Sequence, residues 1–166
     1  MSVKWPLKLI SVVTIGALTV VGLEATAGQW TIATDVQKYY SCLPYQLYLV
    51  STLRGKDEIA TGNLVQFRAP DYVERLTNAY EVIKIVAAVE GDSWKVLDNE
   101  LFINGVHWGP LYLTTAIGKR IGDFDGEGIV PSGHIYVLGT NPSSYDSRYW
   151  GSLPLNFVKG KAHVIF

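Results

Sequence analysis

The sequence predicts one mainly β domain that follows an apolar N-terminal segment. The chain has 166 residues, which suffices for one domain of ordinary size but not for two. Its apolar runs are short, rich in β-branched and aromatic residues, and separated by glycine, asparagine or aspartate, which is typical of strands and turns. The hydrophobic share of 48% excludes a disordered chain. We therefore expect a twisted sheet that curls into a partial barrel.

Six segments carry the strand prediction. In chain order they are residues 45–50, 63–67, 81–89, 101–105, 134–139 and 162–166. The fourth ends in the Asn-Gly pair typical of a two-residue hairpin turn, and Glu-Gly-Asp at 90–92 predicts a turn after the third. Only residues 72–80 are predicted to be helical. The glycine-rich residues 118–133 predict a loop or a flexible hairpin tip.

The apolar N-terminal segment predicts a membrane anchor. Residues 9–23 carry no charge, and they reach the roughly 20 residues that span a bilayer once residues 5–7 are added and Lys8 extends to the headgroups. Lys4 and Lys8 precede the segment and no lysine closely follows it, which predicts an N-terminus in the cytoplasm. The expected domains are an anchor at residues 1–28 and a periplasmic domain at 29–166, on an inner-membrane protein with a single transmembrane helix.

Two other interpretations of the N-terminal segment stay open. Ala25, Thr26 and Ala27 have the small-x-small form of a signal peptidase cleavage site, so the segment is also compatible with a removable signal. The third interpretation is a buried helix of a soluble protein. Both the anchor and the removable signal place the rest of the chain outside the cytoplasm.

Charge and cysteine content exclude several classes of function. A net charge of −1 gives no basic face for nucleic acid. One cysteine excludes a disulfide framework. His107, His134 and His163 are scattered, without the spacing of metal ligands. We expect neither a metal nor a cofactor.

Two places in the sequence offer a nucleophile and a base. Ser41 and Cys42 put a hydroxyl and a thiol side by side before Pro44; alone, they are also compatible with the start of a strand and a buried cysteine. Lys84 lies among β-branched residues, and both faces of its predicted strand are apolar. Burial disfavours the charged form of an amine, so Lys84 is a candidate base for a nucleophile. The alternative is a lysine at the strand edge with its ammonium in solvent.

A polar turn at residues 139–151 is the third candidate. Small polar residues are followed by Asp146, Arg148 and two aromatic residues. Asp146 and Arg148 are suited to pair with each other or with nearby strands. By itself this pattern predicts only a well-anchored loop.

The order of these features resembles the signal peptidase I family of Ser/Lys membrane proteases. The resemblance runs from the apolar segment to about Pro154, and residues 144–151 are similar to the family's last signature box. It implies a signal-peptidase-like sheet, a precursor protein as substrate, Lys84 as the base and Asp146 as a residue needed for activity. Ser144 and Arg148 would support them. Residues 45–50 would offer a strand edge for an extended substrate.

Within the family, the chain looks most like the conjugative-transfer branch of TraF-type peptidases, which process pilin precursors. Three residues depart from the family pattern: Ile85, Glu90 and Thr140. None of the three is a candidate nucleophile or the candidate base. The rival interpretations are a degenerate peptidase fold that serves as an interaction module of a transfer apparatus, and a general leader peptidase.

The resemblance leaves the nucleophile open. The general family pattern puts the serine three residues before the proline, which selects Ser41. The conjugative pattern puts it two residues before, where Cys42 lies. A thiol ionises more readily than a hydroxyl, so a lysine base suits either residue.

Overall fold

The structure, a computed structural model, describes residues 29–35, 41–53, 59–77 and 79–166. The chain divides after Thr31, and the second unit, Ile32–Phe166, contains nearly all of the described residues. None of the described helices is long and apolar enough to cross a membrane. The anchor predicted at residues 1–28 lies outside the described residues.

Eleven strands and two short helices are described. In chain order they are β1 (Trp30–Thr34), β2 (Leu47–Thr52), β3 (Leu64–Arg68), α1 (Asp71–Thr77), β4 (Glu81–Val89), β5 (Ser93–Leu97), β6 (Glu100–Ile103), β7 (Val106–Pro110), β8 (Gly126–Ile129), β9 (His134–Leu138), α2 (Ser147–Trp150), β10 (Leu153–Pro154) and β11 (Val158–Val164). A 3-10 turn, Leu155–Phe157, precedes β11. The mainly β prediction is confirmed.

The larger sheet has seven strands in the order β1-β2-β11-β3-β4-β9-β10. Its fifth strand, β4, has the bounds that the sequence predicts. β4 is antiparallel to β3, with Lys84 opposite Val65, and antiparallel to β9, with Ile85 opposite Leu138. Lys84 therefore lies in the middle of the sheet, next to the end of β9.

The smaller sheet has four strands in the order β7-β6-β5-β8. Asn104 and Gly105 both have positive φ, 49° and 75°, which confirms the predicted Asn-Gly hairpin turn between β6 and β7. Trp94 of β5 stacks on Tyr136 of β9, with ring centroids 6.0 Å apart. Apolar side chains of both sheets share one buried cluster, which includes Val96, Leu101 and Leu138.

Several element predictions are wrong in detail. Residues 118–133 are not all loop, because Gly126–Ile129 forms β8. Glycines have a low intrinsic strand preference, but the indole of Trp94 covers Gly128 and pairing with β5 supplies the hydrogen bonds. β5 and β7 were not predicted, and the predicted helix at 72–80 is the shorter Asp71–Thr77.

The predicted substrate edge at residues 45–50 is also wrong. β2 lies inside the sheet, between β1 and β11. Its residues from Tyr48 to Thr52 pair with β11, so one side is already occupied by that strand and the other by β1. An extended substrate has no free backbone groups to pair with there.

Candidate active site

Lys84 is buried at the centre of the candidate site. Only 1% of its surface is exposed, so the alternative of a lysine with its ammonium in solvent is wrong. Its Nζ donates a hydrogen bond of 2.5 Å to Oγ of Ser144, a residue 60 positions further along the chain. Ser144 is itself buried, at 3% exposed. The strand from the middle of the chain and the polar turn near its end therefore meet directly.

The polar turn is held by a buried ion pair between Asp146 and Arg148. Arg148 Nη1 lies 3.1 Å from Asp146 Oδ2, and both side chains are almost fully buried. Asp146 also accepts from the backbone N–H groups of Gly139 and Arg148 and caps α2. Arg148 Nη2 donates to the Gly139 carbonyl at 3.2 Å. The expected pairing of these two residues is confirmed. The pair also holds Gly139 in place, because Asp146 accepts from the Gly139 N–H and Arg148 donates to the Gly139 carbonyl.

The ionisation of Asp146 reflects opposing influences. Burial raises the pKa of this carboxyl above its usual range. The Arg148 guanidinium and the Lys84 ammonium lower that pKa, as do the hydrogen bonds from the Gly139 N–H and the Ser144 hydroxyl. Ser144 thus contacts both Lys84 and Asp146, and it separates the amine from the carboxylate.

Ser41 and Cys42 lie on a loop that precedes β2. The Ser41 hydroxyl is 2.7 Å from Asp35 Oδ2, also contacts the Leu43 carbonyl, and accepts from the Leu43 N–H at 3.3 Å. The single hydroxyl proton of Ser41 is therefore directed at the Asp35 carboxylate or the Leu43 carbonyl. Leu43 is buried with Tyr48 and Val50. Cys42 is half-buried and its thiol is free.

The Ser41–Cys42 loop is bound to the polar turn by backbone groups. Asn141 donates its N–H to the Cys42 carbonyl at 3.2 Å and its side-chain Nδ2 to the Ser41 carbonyl at 3.1 Å. Thr140 Oγ1 lies 3.5 Å from the same Cys42 carbonyl. Asn141 and Asp35 were not predicted as site residues, and the signal for Asn141 in the sequence is its place in the dense polar turn.

Gly139 shows how closely the loop and the turn approach each other. A Cβ placed on this residue would lie 2.6 Å from Ser144 Cβ and 2.7 Å from the Cys42 carbonyl oxygen. The backbone of Cys42 and the hydroxyl that binds Lys84 are therefore neighbours across one glycine. The structure brings together Lys84, Ser144, Asp146 and Arg148 by direct contacts, and Ser41 and Cys42 through their carbonyls.

The three residues that depart from the family pattern lie outside the Lys84–Ser144 contact. The side chain of Ile85 packs against the apolar cluster between the sheets. Glu90 Oε2 accepts from the Gly133 N–H at 3.2 Å.

Among the described residues there is no group of three histidine, cysteine, aspartate or glutamate side chains that could hold a metal ion.

The chain belongs to the signal peptidase family, peptidase S26, whose model matches residues 8–166. It is 31% identical over 119 residues to thylakoidal processing peptidase 1 of Arabidopsis thaliana, which covers 68% of this chain and 33% of that protein. It is 34% identical over 87 residues to the conjugal transfer protein TraF of Agrobacterium fabrum, 51% of this chain and 48% of that one. With signal peptidase I of Bacillus caldolyticus it shares 27% identity over 154 residues, 80% and 85% of the two chains.

The chain thus spans a third to about a half of the length of the first two of these relatives. The family is that of the signal peptidases, and the resemblance predicted from residues 144–151 is confirmed at this level.

Proposed function

We propose that this chain is an endopeptidase that cuts exported precursor proteins, with Lys84 as its general base. The observation that carries the proposal is the buried contact between Lys84 Nζ and Ser144 Oγ, next to the backbone of Cys42, in a chain of the signal peptidase family. Acyl transfer requires a nucleophile within reach of a base that a third group orients, and Ser144 is such an orienting group for Lys84.

The surroundings of Lys84 suit a proton acceptor. The group that its Nζ contacts is a neutral hydroxyl and not a carboxylate. The nearby carboxylate of Asp146 is bound to Arg148 and to two backbone N–H groups, so its negative charge is largely compensated. Ser144 therefore orients the amine, while the ion pair keeps Ser144 and Gly139 in place. These are the roles that we assign to Ser144, Asp146 and Arg148.

The proposed reaction proceeds through an acyl-enzyme. Lys84 accepts the proton of the nucleophile, which attacks the carbonyl carbon of the scissile peptide bond. The negative oxygen of the tetrahedral intermediate is stabilised by the backbone N–H of the nucleophile. Collapse expels the amine of the mature protein, which takes the proton from Lys84. Water then hydrolyses the acyl-enzyme, with Lys84 as the base again.

We favour Cys42 over Ser41 as the nucleophile. The Ser41 hydroxyl is engaged with Asp35 and with the backbone of Leu43, and it would have to leave these partners to attack. Cys42 is not in a disulfide, and thiols in general ionise more readily than hydroxyls. Ser41 is the alternative, and in that case Asp35 would compete with Lys84 for the hydroxyl proton.

The free side of β4 is where we place the substrate. Pairing with β3 continues to Glu81, whereas pairing with β9 begins only at Ile85. Residues 81–84 thus have a strand neighbour on one side only within the described part of the chain. The backbone N–H and C=O of Val86 form hydrogen bonds with Asn63 and Gly62, on the β3 side of the strand. Successive residues of a strand direct their backbone groups to opposite sides, so the N–H and C=O of Ile83 point to the open side. An extended substrate that pairs with Ile83 would pass beside Lys84.

We infer that the precursor is a conjugative pilin and that the enzyme acts at the periplasmic surface of the inner membrane. The likeness to a conjugal transfer protein supports the branch, and the apolar, uncharged residues 9–23 support an anchor. The likeness to signal peptidase I over most of its length supports the second candidate, a general leader peptidase. A pilin precursor and an unrelated secreted precursor, offered side by side, distinguish the two.

The experiment compares the full-length wild type with single substitutions at the two candidate nucleophiles and the base. Purified protein is incubated with a pilin precursor, and the intact mass of the product is measured. We expect Cys42→Ala and Lys84→Ala to abolish cleavage, and Ser41→Ala to retain most of it. Iodoacetamide, which alkylates thiols, should inactivate the wild type. Full activity in both Ser41→Ala and Cys42→Ala would refute the acyl-enzyme mechanism.

A further inference from the structure

Asn141 connects the loop of the candidate nucleophile to the turn that holds the base. It lies between β9 and α2, and four of its polar groups are engaged. We propose that Asn141 is a positioning residue that orients the peptide between Ser41 and Cys42, and with it the N–H that stabilises the oxyanion. This proposal rests on the proposed function, because it assigns the oxyanion donor of that reaction.

The two donors of Asn141 bind consecutive carbonyls of the nucleophile loop. Its side-chain Nδ2 donates to the Ser41 carbonyl at 3.1 Å, and its backbone N–H donates to the Cys42 carbonyl at 3.2 Å. Two bonds to neighbouring peptide groups fix the direction of the chain through Cys42.

The two acceptors of Asn141 bind the turn that carries the partner of Lys84. Its side-chain Oδ1 accepts from the Ser143 N–H at 2.9 Å, and its carbonyl accepts from the Ser144 N–H at 3.0 Å. Ser144 in turn accepts from Lys84 Nζ. Asn141 therefore connects the loop of Cys42 to the turn whose Ser144 binds Lys84.

The geometry of the peptide bond links Asn141 to the oxyanion. The carbonyl of Ser41 and the N–H of Cys42 belong to one planar peptide group, and no described peptide bond is cis. In a trans peptide the N–H points opposite to the C=O. When Asn141 Nδ2 holds the Ser41 carbonyl on the side of the turn, the Cys42 N–H is directed to the opposite side. That direction is what a backbone oxyanion donor needs, since its position must be set before reaction.

Only an amide of this length satisfies both sides. The side chain donates to one carbonyl and accepts from one N–H at the same time. Aspartate has the same size and keeps the acceptor, but it has no donor, and it would place a negative charge against the Ser41 carbonyl. Asn141→Asp therefore removes one bond and leaves the turn itself intact.

The test measures kcat and KM of the full-length protein on a peptide that spans a precursor cut site. The variants are Asn141→Asp, Asn141→Ala, Lys84→Ala and, as the matched control, Ser143→Ala, whose side chain is exposed in the same turn. We expect kcat to fall roughly 10- to 100-fold in both Asn141 variants, because misplacement by about 1 Å costs a factor of that order. KM should stay within about a factor of two, since the substrate strand pairs elsewhere. Ser143→Ala should match the wild type.

A readout independent of catalysis complements the kinetics. In ¹⁵N-labelled protein, the amide resonance of Cys42 should shift in Asn141→Asp and stay in place in Ser143→Ala. A kcat within a factor of two of the wild type, or an unmoved Cys42 amide, would overturn the proposal. An inactive wild type would instead refute the proposed function, and the role of Asn141 in that reaction with it. If the wild type and Asn141→Asp were both active, only the role of Asn141 would be refuted.

Discussion

Replacing Gly139 with alanine probes the contact on which the candidate site depends. This glycine is buried at the end of β9, between the Cys42 carbonyl and the side chain of Ser144. Its φ lies outside the left-handed region, so alanine introduces no backbone strain. The substitution acts only through the space that the new methyl group occupies.

The size of the effect follows from the contact distances. The added Cβ would lie 2.6 Å from Ser144 Cβ and 2.7 Å from the Cys42 carbonyl oxygen, whereas ordinary contacts begin at 3.4 Å. Ser144 Cβ and the Cys42 carbonyl oxygen therefore have to withdraw from the new methyl group by about 0.8 Å and 0.7 Å respectively. Displacement by about 1 Å lowers catalytic rates roughly 100-fold, so we expect kcat to fall roughly 10- to 100-fold. Overpacking of a buried site costs about 1 to 3 kcal/mol of unfolding free energy.

The assay combines kcat on a precursor peptide with chemical denaturation. Gly126→Ala is the matched control, because its Cβ would meet only the Trp94 ring, at an ordinary 3.8 Å. We expect Gly126→Ala to keep the wild-type kcat. If Gly139→Ala kept kcat within a factor of two, the loop and the turn would not form one site, and the reasoning would be refuted.

Three further predictions follow from the same contacts. Ser144→Ala removes the hydroxyl that accepts from Lys84 Nζ; we expect a loss of about 1 to 3 kcal/mol in denaturation and a lower kcat, and an unchanged kcat would contradict this role. Asp146→Ala leaves the Arg148 guanidinium buried without its partner, which we expect to cost about 3 to 5 kcal/mol, against no measurable loss in Ser143→Ala. Burial, followed by the charge of Asp35, raises the pKa of Tyr48 from 10.0 to about 12. Between these values the folded state keeps a proton that the unfolded chain releases, so stability falls as the pH rises through this window. Denaturation at pH 8 and pH 11 should show a smaller alkaline loss for Tyr48→Phe than for the wild type.

Local pattern was sufficient to predict the strand that carries the base. β4 is nine residues long, and its β-branched residues and terminal Gly-Asp turn define both ends without reference to any other strand. The Asn-Gly turn after β6 is equally local. The apolar faces of the predicted strand left two alternatives for Lys84, burial or an ammonium in solvent, and the structure shows that it is buried.

The elements that depend on distant partners were not predictable in this way. β8 has two glycines and a glutamate in four residues, and it forms a strand because β5 pairs with it and Trp94 covers Gly128. The substrate edge was assigned to residues 45–50 because they form strands readily, but only the sheet order shows that β2 lies inside the sheet.

The same limit applies to the candidate site. Sequence spacing identified Lys84 and the polar turn separately, and only the resemblance to a family linked them. The contact between Lys84 and Ser144 joins residues 60 positions apart, and the role of Asn141 depends on two carbonyls about 100 positions earlier. Backbone carbonyls carry no residue-specific signal in a sequence.

The most direct test of the account is the intact mass of a pilin precursor co-expressed with the wild type, Lys84→Ala or Lys84→Arg. Arginine supplies a cationic donor for Ser144 but does not lose its proton in proteins. The Lys84→Arg variant therefore distinguishes a role of Lys84 as a base from a purely structural role. We expect the wild type alone to remove a defined leader, while both variants leave the precursor at full mass. Processing by Lys84→Arg at the wild-type level would contradict the claim that Lys84 accepts the proton of the nucleophile.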